Sequence, residues 1–591
     1  MPPPIPSATI TQVDGALGAQ LGDTVHAKVG VCSAGPLNTP TLVSSKSALT
    51  STFGRGPLVE EVAYQLDVSA SPVLVCRCNP GVAGAVGSVA RSGAGSAGAS
   101  LAADVGNTST AVPTLAIASG VVLTRPLAVR IKVTLAGANL AASPTIAYSL
   151  DGGLTWSTAQ VALAAATALG ASGLTVAFAD GTFVLNDAFT GRAVPGAQVG
   201  TCTLAVTGTT TDAYRVALEI LRAGATLVAN TATYRLSLDG GEVWGPETAM
   251  PVSGVVSPSG TGLTLTFTYT SGVGFAVGDR FDFATSAPGY TLSDLTNAWT
   301  ALLASIYDWE GVHVVGAADS TIGAGVDALA VSAIAAYKPR WVLLSARDQT
   351  PEETEAAWIL ALQTEWASFV STLGRVLVAA GALDVISTLT GRARRASVAC
   401  VAAARAAAVT ISEDLAWVDR GALPGVLRIH HDEASVPGLN VARFITARTH
   451  EGRTGFYLTN PNVMSENGSD FELLQYRRVW DRAYRIVRRA TLPFLSQDIE
   501  VNPAGVASPL VAGGIDEVEA GNIEDKTVDA LEDGLVKTTP KHATVVGASV
   551  DRTTNFLSTR NLVVQWTVQP KGYIKAITGT LGFTNPARTA A

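Results

Sequence analysis

Charge is scarce in this sequence. Acidic and basic residues make up 15% of 591 positions, 40 Lys and Arg against 48 Asp and Glu, for a formal net charge of −8. A phosphate-binding surface needs clustered cations, so nucleic acid is not expected as a direct partner. The five cysteines, Cys32, Cys76, Cys78, Cys202 and Cys400, are odd in number and follow no zinc-ligand spacing. They read as buried free thiols in a reducing compartment. Long hydrophobic runs are absent as well. Stretches such as 396–404 stop at a charge well short of the ~18 residues a membrane span requires, so no membrane insertion is expected. Met1-Pro2-Pro3-Pro4 lacks the basic and apolar regions of a signal peptide, and the expected site of synthesis and use is a cytoplasm.

Catalytic patterns are missing too. No GxGxxG precedes a helix, and there is no GxxxxGK[ST]. Ser412 and Ser435 sit in no G-x-S-x-G turn. His430-His431-Asp432 suggests a metal site, but adjacent side chains point apart and no third ligand stands at a useful spacing. Asp319-Ser320, Arg347-Asp348 and Asp384 are the polar residues that follow expected strands, and they read as solvated loop charges. The expectation is a protein that is not an enzyme, with no catalytic, cofactor-binding or metal-binding residues and no cofactor.

What is present is apolar: 47% of residues, with 58 glycines, over a length that suggests roughly four domains at ~150 residues each. From Tyr290 to Gly381 the pattern alternates helix and strand. Thr291 and Asp294 form a capping-box pair ahead of Leu295, Trp299, Leu302 and Ile306. The run 312–315 reads as a strand, 327–337 as an Ala-rich helix, and 341–344 as a second strand. A third helix is expected from an N-cap at Thr350 to Gly374, with the stripe Trp358, Leu362, Trp366, Phe369 and Leu373. The strand 376–379 follows. Continuous apolar strands between amphipathic helices predict a mostly parallel sheet covered on both faces. Residues 25–80 have the same texture, with strands at 25–32 and 72–78 and helices at 45–53 and 57–66.

The stretch between differs. From 79 to 124 only Arg91 and Asp104 are charged, which reads as a Gly/Ala/Ser linker. A duplication follows. Ser149-Leu150-Asp151-Gly152-Gly153 and Trp156 recur as Ser237-Leu238-Asp239-Gly240-Gly241 and Trp244, and Asp187 answers Asp279. The flanking Thr/Val-rich alternation and the Asp-Gly turns predict two tandem all-β sandwich modules inserted into one discontinuous α/β domain. Each tryptophan packs over its own turn or stacks on a sugar, and each repeated aspartate fixes a turn or ligates a cation. Beyond the block, 392–408 reads as a helix and 426–430 as a strand.

The C-terminal third carries Gly455-Phe456-Tyr457-Leu458-Thr459-Asn460-Pro461, then Gly468-Ser469-Asp470-Phe471, then Leu474-Gln475-Tyr476-Arg477-Arg478-Val479-Trp480-Asp481. Near the end stand 568–575, Val-Gln-Pro-Lys-Gly-Tyr-Ile-Lys, and 581–586, Leu-Gly-Phe-Thr-Asn-Pro. With Gly35-Pro36-Leu37-Asn38, Phe53-Gly54-Arg55-Gly56 and 290–295, Tyr-Thr-Leu-Ser-Asp-Leu, these segments in this order resemble the tail sheath proteins of contractile bacteriophages and related contractile injection systems. The resemblance covers about 1–80 and 290–591. It implies a virion tail protein, assembled in the bacterial host cytoplasm, whose copies polymerise around an inner tail tube and contract once for genome ejection and host cell entry. Partners would be the chain itself, the tube protein, and baseplate and terminator proteins.

The resulting layout is α+β and multidomain. It comprises an N-terminal linking arm (1–24), the first part of the α/β sheath core (25–80), a linker (81–112), module 1 (113–198), module 2 (199–289), the continued core (290–450), a C-terminal sheath domain (451–570) and a C-terminal linking arm (571–591). Val564, Trp566 and Val568 alternate on one face and are expected to form the strand accepting arms. Ile574, Ile577, Leu581 and Phe583 are expected to be the arm side chains, joined by β-augmentation. Arg478, Arg482, Arg485 and Arg489 fall on one face of a helix over 473–490, either a solvated basic face or a contact with the tube. The alternative is another self-assembling structural or surface-binding protein with carbohydrate-binding-like β modules, and a sugar-active enzyme is the third reading.

Overall fold

Apolar strands that bury both faces demand helices on both sides, and the central sheet has them. The computed structural model describes residues 25–92, 101–104, 106–117, 127–150, 152–153, 155–157, 161–164, 166–193, 201–222, 224, 232–268, 274–350, 353–505 and 510–580. The expected N-terminal arm and Leu581 and Phe583 lie outside these residues. Six strands line up as Thr41–Val43, Val73–Arg77, His26–Gly30, Gly311–Ala317, Trp341–Ser345 and Val376–Ala379. All neighbours are parallel except the first pair. Ala27 stands opposite Leu74 on one side and Val312 on the other. One sheet is thus built from segments on both sides of the β-rich stretch.

Alternate strand residues face opposite layers. Leu74, Cys76, Val312, Val314, Val342, Leu344, Val376 and Val378 meet Trp299 and Leu302, Val326 and Ala330, and Trp358, Leu362 and Trp366. On the other face, Val73 and Val75 pack on Leu58, Val59 and Val62, and Leu343 and Leu377 on Val398 and Val401. The helices are α1 (Lys46–Phe53), α2 (Pro57–Ser69), α3 (Leu292–Ala304), α4 (Ser320–Ala335), α5 (Glu355–Trp366) and α6 (Val398–Ala408). The capping box at Thr291 and Asp294 forms with both bonds present.

Three boundaries differ from expectation. Helix α4 begins at Ser320, capped by the Asp319 carboxylate. Gly323 and Gly325 resemble breakers in the sequence, but a Cβ at these positions would meet Trp366 at 2.8 Å and Leu292 at 2.5 Å. They are there for close packing. Helix α5 is capped by Thr354, not Thr350, and ends at Trp366, leaving Leu373 exposed. The first part of the expected 392–408 helix is a strand, Ala393–Ser397, with Ser397 capping α6.

The duplication recurs strand for strand. In the first β unit, Ala102–Ala103, Ala188–Ala193, Leu127–Leu135, Thr145–Ser149 and Val161–Ala162 form a five-stranded sheet. Thr167–Ala168, Leu174–Phe178 and Pro113–Ile117 form a three-stranded one. In the second unit the five are Ala90–Ser92, Arg280–Ala284, Arg215–Arg222, Thr233–Ser237 and Thr248–Ala249. The three are Val255–Val256, Leu263–Thr268 and Thr203–Gly208. Phe178, Phe183 and Phe189 make edge-to-face contacts at 5.3 and 5.8 Å. Phe267, Phe275 and Phe281 repeat the cluster at 5.7 and 5.4 Å.

The expected linker, 81–112, therefore contains strands. Ala90–Ser92 pairs with Arg280–Ala284, so the first unit's strands lie between two strands of the second unit's sheet. The units are nested, not tandem. Arg91 explains why so short a strand is held: it donates to the fully buried Asp279 at 2.7 Å. Val82 and Gly289 exchange backbone bonds of 3.1 and 2.8 Å where the chain leaves and rejoins the core.

Gly311 opens a core strand against the indole of Trp341. A Cβ there would stand 2.0 Å from Trp341 Cε2. Gly311→Ala is expected to destabilise the protein by about 1–3 kcal/mol through overpacking, read by denaturant unfolding.

Candidate assembly surface

Helix α7 (Leu474–Thr491) carries four of the expected site residues, and most of its charge is spoken for. Glu310, Arg340 and Arg375 each immediately precede a strand of the central sheet, and α7 lies across that edge. Arg375 donates two bonds to Asp481, at 2.8 and 3.0 Å, with both side chains fully buried. Arg478 donates to Glu310 at 2.5 and 2.8 Å, and His26 Nε2 joins the same carboxylate at 3.2 Å. Burial favours the neutral acid, yet Arg478 and His26 hold the Glu310 carboxyl well below the usual range. Burial also pushes His26 down.

The expected basic stripe is therefore not one solvated face. Arg478 is 1% exposed and forms part of the core. Arg485 reaches Asp308 at 3.9 Å, Arg482 is half-buried, and Arg489 is exposed. Helical spacing correctly put these arginines on one side. It carried no information about which acids would meet them.

Behind α7 stand α8 (Glu517–Leu531) and a two-stranded antiparallel sheet, Ala543–Val550 with Val564–Pro570. Trp566 and Val568 pack on Val479, Ala483, Leu531 and Leu535, and Val564 packs on Ile515 and Ile523. The three expected acceptor side chains thus anchor their strand to their own helices. What remains open is main chain: among the described residues, neither strand has a second neighbour.

The chain then leaves the sheet. Tyr573 donates its hydroxyl to the Ser412 carbonyl at 2.7 Å and leans on Tyr476 at 5.4 Å, and Lys575 pairs with Asp414. Ile574 and Ile577 are 82% and 88% exposed. Both large aliphatic side chains thus face away from the described residues on an extended tail.

The other candidates have structural partners. Trp156 donates to the carbonyl of Gly153 in its own turn, and Arg235 covers the Trp244 ring at 4.3 Å. The Asp187 carboxylate accepts from the Thr108 and Ser109 amides. Arg395 pairs with Asp348, and Arg428 and His430 share the Asp384 carboxylate. His431 is buried between Glu355 at 2.7 Å and Glu433 at 3.1 Å. Burial opposes its charge, but the bonds to both carboxylates outweigh burial and push its pKa up to about 9.

Two outcomes follow from these contacts. Asp481→Ala strands a buried guanidinium and should cost about 3–5 kcal/mol, while Arg375→Met with Asp481→Leu should recover much of that loss in denaturant unfolding. His431 binds its proton more tightly when folded, so its stabilisation is complete below the ordinary value of 6.5 and fades as pH rises through about 9. The melting-temperature gap between wild type and His431→Gln should therefore shrink across that window.

No curated protein matches this sequence. Among solved structures, the chain is similar to the sheath tail protein from Desulfitobacterium hafniense, at 11% identity and a TM-score of 0.37, covering 96% of this chain and 100% of that one. It is similar to the sheath tail protein from Listeria innocua at 11% identity and 0.38, covering 92% and 94%. The contracted helical sheath of the anti-feeding prophage follows at 14% and 0.33, covering 52% and 78%. The family description "DUF2586, N-terminal domain" matches residues 5–462, and "DUF2586, C-terminal domain" matches 470–588. Spanning nearly its whole length, these two matches place the chain in the DUF2586 family.

Proposed function

We infer that the chain is the structural subunit of a contractile tail sheath. It polymerises helically around an inner tail tube, meets baseplate and terminator proteins at the ends, and shortens to drive the tube through a target envelope. The observation that carries the reading is the C-terminus, where a strand with an open edge is followed by a tail whose Ile574 and Ile577 are exposed. One subunit then holds both an acceptor and a donor for strand addition. The order of the sheath-like segments from 455 to 586 supports the same reading.

In this view 25–80 and 290–450 form the core, 451–570 the C-terminal domain, and 1–24 and 571–591 the linking arms. The β units are sandwich modules projecting from the core. The work is mechanical and requires no catalysis. Each main-chain bond nets only ~0.5–1.5 kcal/mol, but several per arm at every subunit keep a lattice connected while its rigid bodies move. In a phage this stroke would serve genome ejection.

Purified protein should form hollow striated tubes by negative-stain microscopy without nucleotide. Dissolution by chelators, or a need for ATP, would sink the idea of a passive sheath. Val82 and Gly289 are hydrogen-bonded neighbours, so replacing 83–288 by a short Gly/Ser linker should leave tubes of smaller outer diameter. Truncation after Lys575, which keeps the bonds of Tyr573 and Lys575, should leave a monomer with a nearly unchanged melting temperature that no longer polymerises. A collapse of that temperature would mean the tail stabilises its own domain.

A further inference from the structure

Where the second β unit rests on the core, a cleft of about 730 Å³ lies between them, within the size range of small-molecule sites. The core lines it with Arg55, Glu60 and Arg392, and the β unit with Tyr214, Tyr234 and Asp239. The Leu58 amide at the start of α2 donates to the Val31 carbonyl at 3.3 Å, and the Ser33 amide to the Arg55 carbonyl at 2.8 Å. The cleft therefore opens just past the carboxyl end of His26–Gly30, the end at which parallel sheets take their ligands. Arg392 lies over the Tyr214 ring at 4.7 Å and donates to Asp212 at 3.1 Å, which fastens one wall to the other. Tyr234 is 8% exposed, yet its hydroxyl makes no hydrogen bond among the described residues. A buried tyrosine ordinarily finds a partner for that group. Three residues before Ser149, where Tyr234 stands relative to Ser237, the first β unit has the buried Ile146, with no polar group to satisfy.

We propose that this cleft binds a neutral saccharide, held by the Tyr234 hydroxyl and the Arg392 guanidinium. A guanidinium only donates, and the carboxylates of Glu60 and Asp239 only accept, so a ligand that meets them all needs groups that do both. Hydroxyls do both. The C–H face of a sugar ring also suits an aromatic wall, where apolar area is buried beside the polar tip of each tyrosine. The charge of the lining argues against an anion. Arg55 and Arg392 stand among Glu60, Asp212 and Asp239, so a phosphate or a nucleotide meets no net attraction. Binding here needs no catalysis and no polymerisation, and it would give the subunit a recognition role in addition to a mechanical one.

The full-length protein, labelled and applied to a printed array of neutral and acidic glycans, should retain neutral members, and calorimetry with the strongest of them should give its Kd. Tyr234→Phe removes only the hydroxyl and should weaken that binding about 2- to 10-fold at an unchanged melting temperature. Ser257→Met with Thr390→Met fills the mouth from both walls at exposed positions, so folding is spared and binding should be lost. An array with no bound glycan overturns the proposal. So does binding confined to sulfated, phosphorylated or sialylated members, or an affinity that either variant leaves unchanged.

Discussion

The position of α7 and of the elements packed behind it depends on two buried ion pairs, Arg375–Asp481 and Arg478–Glu310. Taking such charges out of water costs several kcal/mol per ion, which only close, doubly bonded geometry offsets. Any shift of α7 along the sheet edge would break that geometry and leave bare charge in the interior. The helix therefore has one place to sit. Val479 and Ala483 on α7 carry Trp566 and Val568, so the open strand edge inherits the same fixed position relative to the core. The core, α7 and the strand edge behind it thus hold one fixed arrangement.

The same pairs mark the limit of what could be read from the sequence. The parallel block was legible because unbroken apolar runs such as 341–344 and 376–379 have few other uses, and their order in the sheet follows. The arginines of α7 were legible as a face and misleading as a surface. Their partner Glu310 is distant in sequence, and only its place directly before a buried strand hints that it must find a cation. Asp481, a lone acid among the arginines, was the available clue to the second pair.

The β units were legible as a duplication because alternation and Asp-Gly turns are local signals. Their nesting was not, because it hangs on Ala90–Ser92, three small or polar residues in a Gly-rich stretch. Arg91, one of two charges between 79 and 124, was the signal, and it needed Asp279 to give it meaning. The alternation of Val564, Trp566 and Val568 was read correctly as one face, but the structure gives that face to the subunit's own helices.

Nesting also favours one order of folding on loop-closure grounds. Lys28 and His313, bonded at 2.9 Å across the central sheet, are 285 residues apart in the chain. Closing so long a loop is slow when its contents are unstructured. Once the inner β unit has formed, the ends of its chain can deliver Ala90–Ser92 and Thr203–Gly208 to the outer unit. The outer unit in turn brings Val82 and Gly289 within bonding distance. Each layer shortens the loop that the next must close. The sheet completed last in this sequence contains the chain's first described strand, so in a nascent chain His26–Gly30 has Val73–Arg77 on one side and an unpaired edge on the other until the block beginning at Tyr290 has been made.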